Sequence, residues 1–439
     1  MLGLGLGLGL SSRLGMNTNV AYIPAGLGWT GPNFIPRKIN GVWRSGLNPI
    51  TLVNPAIWNG VPYYVDIATG SDSNSGLSWA QAKKSIYQAV NAGNANGSAT
   101  AFIVNVKAGD YDLTTGFSGP SASVRPTKPV AYIADGGRVR YTTANISLTW
   151  SAYSGDAYQQ TVNEVGFVVD TRDGTILQNV ADAATVVATP GSWSEVSGVC
   201  YAHLLDGAVV STANTRVVRW VRGCCFPTSI SVGDIYIQGF DLQGGRYGAI
   251  DLSPAALGNT VVTRNSVVVD CTGSLAGRPT GPADGIRVSY NTGLCAVFNS
   301  SFYSNQNDGL NWDEVGGSDL SVLTENCSAY DNGYFGQLGN AYSGHANVVG
   351  IDLSGTYQSN TAQAFYNINT TKWWALGLDT TQLNAIAALR SGNTSTIWVQ
   401  DAVATGGTIS AQCDVGSFLY YRSTQFNGPV VANGTFAPF

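Results

Sequence analysis

Short apolar runs alternate with turn-forming residues along this chain, and their spacing predicts its elements. The runs at residues 61–67 and 100–107 predict two β-strands, because each carries several β-branched or aromatic residues and ends at a glycine-containing turn. Between them, residues 77–92 carry apolar side chains at helical spacing, with Ser78 as the N-cap, which predicts a helix. A strand, a turn, a short helix and another strand can together plug the open end of a stack of repeats.

A short motif recurs through the second half of the chain. It begins at residues 240, 265, 299, 326 and 354, which gives steps of 25, 34, 27 and 28 residues. Six residues after the last four starts stand Cys271, Asn305, Asn332 and Asn360. Steps of this size are typical of stacked repeats, with loops of different length leaving one corner. Asn side chains at matching corners are expected to bond from one coil to the next.

The segment YYVDIATGSDSNSGLSWAQAKKSIYQAVNAG and the following FIVNVKAGDY resemble the N-terminal cap and first coil of the pectate-lyase-like β-helix proteins. This likeness implies an all-β fold, a right-handed parallel β-helix (a solenoid) with an N-terminal capping helix. We expect three parts: an extended anchor arm over residues 1–60, the β-helix with its cap over 61–365, and a small C-terminal β module for capping or trimerisation over 366–439. Residues 112–239 are assigned to the β-helix by continuity. In the C-terminal module, the pattern predicts a helix over 380–389 and strands over 396–400, 407–411 and 417–422.

The N-terminus alternates leucine with glycine, and in an extended strand this period puts all the leucines on one face. These leucines are Leu2, Leu4, Leu6, Leu8 and Leu10. Such a row needs a cover, so we expect a particle anchor that pairs with another chain; a disordered terminus is the alternative. Residues 11–60 contain five prolines and three tryptophans, too irregular for a core of their own. We expect them to lie along another surface.

A second resemblance concerns GNAYSGHANVVGIDLSGTYQSN and TIWVQDAV followed by FLYYRS, which are similar to segments of bacteriophage tailspikes and fibres. It implies a homotrimer on the surface of the virion, bound to other virion proteins through residues 1–60 and to host surface polysaccharide. A virion structural protein is therefore the first expectation. A tailspike-type polysaccharide depolymerase is the alternative, and both can hold together. A secreted bacterial enzyme is disfavoured, because the N-terminus lacks the basic region of a signal peptide.

Composition narrows the partners further. Only 11% of residues are charged, against about 25% in an average soluble domain, and the net charge is −5. No run of five Lys or Arg occurs, so no nucleic-acid partner is expected, and no stretch of eighteen apolar residues predicts a membrane helix. Seven cysteines without a CxxC pair and two histidines predict buried thiols and no cofactor or metal site. The adjacent pair Cys224 and Cys225 is the exception to watch.

The densest acidic cluster contains Asp308, Asp313 and Glu314, the predicted catalytic residues if the chain is an enzyme. Glycoside hydrolysis uses two carboxylates roughly 5 to 9.5 Å apart. Strands one coil apart in a stack are about 4.8 Å apart, so matched carboxylates can reach that distance. Carboxylates that cap turns are the commoner alternative, and the pattern favours a structural over a catalytic role.

Three neighbouring residues are the predicted substrate contacts. Trp312 beside Asp313 can stack on a sugar ring, while His345 and Asp284 can bond its hydroxyls. A loop histidine satisfied by backbone is the alternative for His345. Arg278 and Arg287 flank Asp284, but no clustered aspartates support the calcium site of a pectate lyase, so no metal is predicted.

Overall fold

The computed structural model describes residues 19–112, 125–145, 147–221, 233–253, 261–278, 281–314, 320–358, 361–382 and 386–439. Several residues singled out above lie outside these ranges: the anchor leucines Leu2, Leu4, Leu6, Leu8 and Leu10, together with Cys224, Cys225 and Asn360. The side chain of Glu314 is likewise outside the description, although its backbone ends a strand.

Three long parallel sheets form the body of the protein, and the chain visits them in a fixed cyclic order. Sheet 1 contains Val61–Val65, Ile235–Gln238, Ser266–Val269, Leu294–Phe298, Leu320–Glu325, Val348–Leu353, Lys372–Leu376, Thr396–Gln400, Phe418–Arg422 and Thr435–Pro438. Sheet 2 contains Phe240–Gln243, Thr272–Ser274, Ser301–Tyr303, Ser328–Tyr330, Thr356–Gln358, Asp379–Gln382, Val403–Gly406 and Gln425–Asn427. Sheet 3 contains Gly248–Asp251, Asp284–Ser289, Leu310–Glu314, Tyr342–Ala346, Gln363–Asn367, Ala387–Ser391, Ala411–Cys413 and Val430–Ala432. The long strands Phe102–Tyr111 and Val130–Thr142 run through both sheet 1 and sheet 2.

From Ile235–Gln238 to Phe418–Arg422, each sheet-1 strand is followed by one residue with positive φ before the next sheet-2 strand begins. These corner residues are Gly239, Asp270, Asn299, Asn326, Ser354, Gly377, Asp401 and Ser423, with φ between 48° and 83°. Three of the predicted motif positions, 299, 326 and 354, coincide with these corners. The start at 265 is wrong, because Asn265 accepts a bond from the Leu294 backbone at the entry of sheet 1, and Asp270 holds the corner.

Asparagine ladders form at two corners, as predicted. The Nδ2 of Asn326 donates to the Oδ1 of Asn299 at 2.9 Å, and the Nδ2 of Asn305 donates to the Oδ1 of Asn332 at 3.0 Å. Cys271 does not belong to the second ladder. Its place is taken by Ala276, whose backbone N–H donates to the Oδ1 of Asn305 at 3.1 Å.

Parallel pairing continues through the C-terminal region without a change at residue 365. The predicted helix over 380–389 is wrong, since strands Asp379–Gln382 and Ala387–Ser391 pair with the preceding repeat. Sheet pairing overrides the helical spacing of its apolar residues. The predicted strand Thr396–Gln400 is confirmed, and Phe418–Arg422 begins one residue later than predicted. The predicted strand over 407–411 falls mostly on the corner between Val403–Gly406 and Ala411–Cys413.

The N-terminal cap contains a helix that starts later than predicted. Helix α1 spans Ile86–Ala95, and its N-cap is Ser85, whose hydroxyl accepts from the Gln88 N–H at 3.2 Å. Residues Trp79–Gln81 form a 3-10 turn. The side chain of Asp72 accepts bonds from the backbone of Lys84 and Ser85, which holds the preceding segment outside the helix.

Residues 144–145 and 147–221 form a mainly antiparallel insertion, which replaces the coils expected there. One of its sheets contains Gln178–Asn179, Ser192–Val196, Val199–His203, Ala157–Thr161 and Ser151–Ser154, and the other Ala144–Asn145, Thr215–Arg219 and Val165–Asp170. Helix α2 spans Ala183–Ala188. Ser197 and Gly198 both have positive φ and join two antiparallel strands by a two-residue turn, which cannot connect parallel strands.

The strap, residues 21–58, lies along the outer face of sheet 1. It contains Arg37–Ile39 and Val42–Arg44, an antiparallel pair, and the 3-10 turns Pro49–Leu52 and Pro55–Ile57. Its buried apolar residues, which include Leu27, Trp43, Leu52 and Ile57, pack on outward side chains of sheet 1 such as Tyr236, Phe298, Ile351 and Trp374. The prediction that residues 11–60 lie along another surface is confirmed for the strap, and the surface belongs to the same chain.

Within the described ranges, no helix is long and apolar enough to span a membrane. Five cysteines in that part of the chain are buried free thiols: Cys200, Cys271, Cys295, Cys327 and Cys413.

Candidate functional site

Two of the predicted site residues form a ladder at the entry of sheet 3. Asp284 accepts a hydrogen bond from the backbone N–H of Asp308 at 3.1 Å. Asp308 accepts one from the N–H of Asn340 at 2.6 Å, and Asn340 accepts one from the N–H of Gln363 at 3.1 Å. Each side chain therefore caps the matching corner of the next repeat, which is the turn-capping alternative of the sequence analysis.

Burial closes both carboxyl groups to solvent. Asp284 is 0% exposed and Asp308 is 2% exposed. Burial raises the pKa of both, and the charge of Asp284 raises the pKa of Asp308 further. The Ser343 hydroxyl, which donates to Asp308 at 2.5 Å, acts in the opposite direction. The roles of Asp308 as a catalytic group and Asp284 as a substrate contact stay predictions, and the burial of both side chains favours the turn-capping alternative.

Trp312 faces the core, and its expected stacking on a sugar is corrected. The side chain is fully buried, with its ring 6.1 Å from that of Tyr342 between centroids. Side chains alternate along a strand, so the burial of Leu310 and Trp312 turns Asn311 and Asp313 outward.

Asp313 and His345 come together on the outer face of sheet 3. They are register partners on the neighbouring strands Leu310–Glu314 and Tyr342–Ala346, and both are half-buried. Burial lowers the pKa of His345, and the charge of Asp313 acts in the opposite direction. Among the predicted site residues whose side chains the structure describes, this pair is the one that the fold leaves partly open to solvent.

A cleft of about 560 Å³ lies between the insertion and the loops that join sheet 2 to sheet 3. The insertion packs on one of these loops, because Phe335 lies 4.8 Å from Phe167 and 6.2 Å from Trp193 between ring centroids. The lining combines indole rings, amides and two charged groups: Val165, Gly166, Asn179, Val180, Ala181, Trp193, Ser194, Glu195, Trp220, Arg278, Gln306, Phe335 and Gln337.

The topology explains why the cleft is there. The insertion leaves the stack after Val130–Thr142, at the end of a sheet-2 strand. The loops that carry Arg278, Gln306 and Phe335 leave later repeats from the same corner. Elements that leave one corner of a stack are neighbours in space, so the insertion lies beside these loops.

The arginine cluster, Arg246, Arg278 and Arg287, surrounds the ring of Tyr247 at the edge of the cleft. The guanidinium carbons lie 5.5, 4.6 and 5.8 Å from the centre of that ring, respectively. Arg246 also lies 5.2 Å from the ring of Trp220, which lines the cleft. The sequence predicts Arg278 and Arg287 only as neighbours of Asp284. The adjacent residues Arg246 and Tyr247 are the sequence feature that marks the rest of the cluster.

The cluster continues into the outer face of sheet 3. Arg287 is the register partner of Asn311, and Ser289 is the partner of Asp313, two residues further along the same strands. Ser289 is fully buried, whereas Arg287 and Asn311 are half-buried and precede Ser289 and Asp313 by two residues on these strands. Over the described residues, no group of three or more His, Cys, Asp or Glu side chains is placed to hold a metal ion.

No protein-family model matches the chain, and no curated protein matches it. Among solved structures, XylC in complex with xylose is similar, at a TM-score of 0.53 and 13% identity, over 82% of this chain and 68% of that one. Two further structures are more distant. A glycoside hydrolase has a TM-score of 0.46 and 8% identity over 86% of this chain and 96% of that one. The pectate lyase Pel9A has a TM-score of 0.37 and 13% identity over 85% of this chain and 78% of that one. At these identities the likeness to XylC concerns the fold, and it agrees with a mostly β chain built from long parallel sheets.

Proposed function

We propose that this chain acts on a polysaccharide, which it binds in the cleft beside the insertion and along the outer face of sheet 3. The observation that carries the proposal is the lining of the cleft. The half-buried indole ring of Trp220 can pack on the apolar face of a sugar ring, while the exposed amides of Asn179 and Gln337 can bond its hydroxyl groups. XylC, which is described in complex with xylose, has a comparable fold, and we take the fold to be a right-handed parallel β-helix.

Binding is tested by affinity electrophoresis in gels cast with a panel of microbial and plant polysaccharides. Trp220 is half-buried and its ring lines the cleft, so the exposed part of the ring can contact a ligand. Trp220→Ala is expected to weaken binding about tenfold or more, since stacking contributes about 1–2 kcal/mol. Trp79→Ala removes a partly exposed tryptophan of the cap and serves as the control. Retention of every polysaccharide by Trp220→Ala would contradict the proposal.

Cleavage is assigned to the outer face of sheet 3, with Asp313 as a carboxylate and His345 beside it. The other predicted carboxylate, Glu314, follows Asp313 on the same strand. The full chain is incubated with each bound polysaccharide, and new reducing ends are measured. Asp313→Asn is expected to lower the rate about 10²–10⁴-fold, the usual contribution of a general acid or base. Asp135→Asn, at an exposed position of the second long strand, is the matched control. Equal rates for both variants and the native chain would remove Asp313 from the mechanism.

A second candidate function is that of a homotrimeric structural protein on a bacteriophage particle. The course of the strap favours it. Lys38 pairs with Asp401 at 2.5 Å, and its backbone N–H donates to the carbonyl of Asn19 at 2.9 Å. The chain therefore reaches residue 19 beside a late repeat, and we infer that the Leu–Gly arm attaches there to another virion protein.

Mass photometry of the full chain and of a chain lacking residues 1–18 measures the oligomeric state, and mass spectrometry of purified particles detects the chain in the virion. A monomer that is absent from particles would eliminate this candidate function.

A further inference from the structure

The arginine cluster forms no direct ion pair with the acidic side chains described around it. The nearby carboxyl groups are Asp251, the half-buried register partner of Arg287, and Asp284, which is fully buried. Across the described residues, the ion pairs of arginines involve Arg44, Arg138, Arg140, Arg172, Arg219 and Arg390, and none involves a member of the cluster. The Nε atoms of Arg246 and Arg278 are buried and have no hydrogen-bond partner there. Two acidic side chains, those of Glu314 and Asp319, lie outside the description.

The three guanidinium groups also repel one another. Burial lowers the pKa of Arg278, and the charges of Arg287 and Arg246 lower it further, whereas Tyr247 and Asp284 act in the opposite direction. A half-buried cation without a hydrogen-bonded counter-charge is unfavourable, because it loses hydration without replacement. Three such groups around one ring therefore indicate a site completed by an anion that the chain itself does not supply.

The chemistry of the groups indicates which anion fits. A guanidinium presents two parallel N–H donors, which match the two oxygens of a carboxylate. Arg246 lies beside the ring of Trp220. A ligand that binds the cluster and also contacts Trp220 therefore needs an anionic group next to a ring that can stack on the indole. A uronic acid within a polysaccharide has this combination.

We propose that the arginine cluster is a subsite for the carboxylate of an acidic sugar, so that the polysaccharide bound by this chain is rich in uronic acid. The inference rests on the proposed function and narrows its substrate class. Arg278 binds the carboxylate from the cleft side and Arg287 from the outer face of sheet 3, while Tyr247 holds their guanidinium groups in place.

The test compares polymers that differ only in their carboxyl groups. Affinity electrophoresis of the full chain uses polygalacturonate, alginate and hyaluronate, each beside its carboxyl-reduced form, and dextran sulfate as a separate arm. The native chain is expected to bind at least one acidic polymer about tenfold or more tightly than its reduced form, with an affinity that falls as salt rises. Arg278→Ala and Arg287→Ala are expected to abolish this preference, and Arg278→Lys to retain part of it.

Arg422→Ala is the matched control, because Arg422 lies 4.6 Å from the ring of Phe439 and belongs to no part of the cleft. Thermal melts of all variants separate loss of binding from loss of fold. Equal binding of acidic and reduced polymers, or an unchanged preference in Arg278→Ala, would overturn the subsite and leave the proposed function standing. Preference for dextran sulfate over every uronate polymer would overturn the carboxylate assignment. Binding of no polymer at all would overturn the proposed function and the subsite together.

Discussion

Gly350 lies directly against the indole of Trp373, its register partner in the next repeat of sheet 1. A Cβ at position 350 would stand 2.2 Å from the nearest atom of that ring, and Trp373 is fully buried. The glycine thus leaves room inside the stack for the largest side chain of the neighbouring strand.

Gly350→Ala is therefore expected to destabilise the protein by about 1–3 kcal/mol, the usual cost of overpacking a core. Urea unfolding measures the change. Gly97→Ala is the control, because nothing lies within 4 Å of a Cβ at that position, and it is expected to alter stability by no more than about 0.5 kcal/mol. Combining Gly350→Ala with Trp373→Phe should restore part of the loss, and no recovery would contradict the contact as its cause.

The strap stabilises the stack from outside. Trp43 is 2% exposed, its indole N–H donates to the carboxylate of Asp401 at 2.9 Å, and its backbone N–H donates to the hydroxyl of Ser354 at 2.8 Å. Trp43→Ala is expected to lower the free energy of unfolding by about 3–5 kcal/mol, as for other buried tryptophans. Limited proteolysis should then cut the strap before the parallel sheets. Trp79→Ala, which removes a partly exposed ring, should leave both measurements nearly unchanged.

The parts of the fold that could be predicted from the sequence are those specified by local residues. The corners at Asn299, Asn326 and Ser354 share a residue of positive φ before a short strand, and their spacing reveals the repeat. The corners at Gly377 and Asp401 follow steps of only 23 and 24 residues and lack asparagine, so the repeat was lost there.

The candidate site was harder to predict, because strand register and stacking decide it. Trp312 and Asp313 are adjacent in sequence, yet the fold sends Trp312 into the core and Asp313 to the surface. Arg246, Arg278 and Arg287 lie 32 and 9 residues apart, and only the stacking of repeats brings them around one ring. The insertion could not be predicted by continuing the repeat. Its signal in the sequence is the two-residue turn Ser197–Gly198, which joins antiparallel strands.

Asp308→Asn separates the structural from the catalytic interpretation of that residue. An amide keeps the oxygen that accepts from the Asn340 backbone, and the Ser343 hydroxyl can turn to accept from the new N–H. Removing a buried charge next to Asp284 should therefore raise stability at pH 8, because burial and the charge of Asp284 both disfavour the ionised form of Asp308. At pH 4 the native carboxyl is protonated and the gain should vanish. Full loss of glycan cleavage in a well-folded Asp308→Asn chain would return the residue to the catalytic set.

Asp352 gives the stack a pH-dependent stability. The side chain is fully buried inside the repeats, where burial raises its pKa to about 6, and it accepts bonds from the hydroxyls of Thr324 at 2.6 Å and Tyr357 at 2.7 Å. Its pKa in the unfolded chain is the ordinary 3.8, so the unfolded state loses the proton first as pH rises. The stability contributed by the protonated group is therefore complete below about pH 4 and is lost as pH rises through about 6, a change of about 3 kcal/mol.

Burial raises the pKa of Asp284 and Asp308 as well, so their contributions have the same sign. Asp66 has the opposite sign, because its pKa is lowered to about 2. Its contribution to stability changes with pH only below about pH 4, outside the range of the urea measurement. Urea midpoints measured between pH 4 and 7.5 are therefore expected to fall with pH. Asp352→Asn should flatten that slope, whereas the exposed Asp135→Asn should not. Midpoints that rise across this range, or an unchanged slope in Asp352→Asn, would show that the buried carboxyl does not control it.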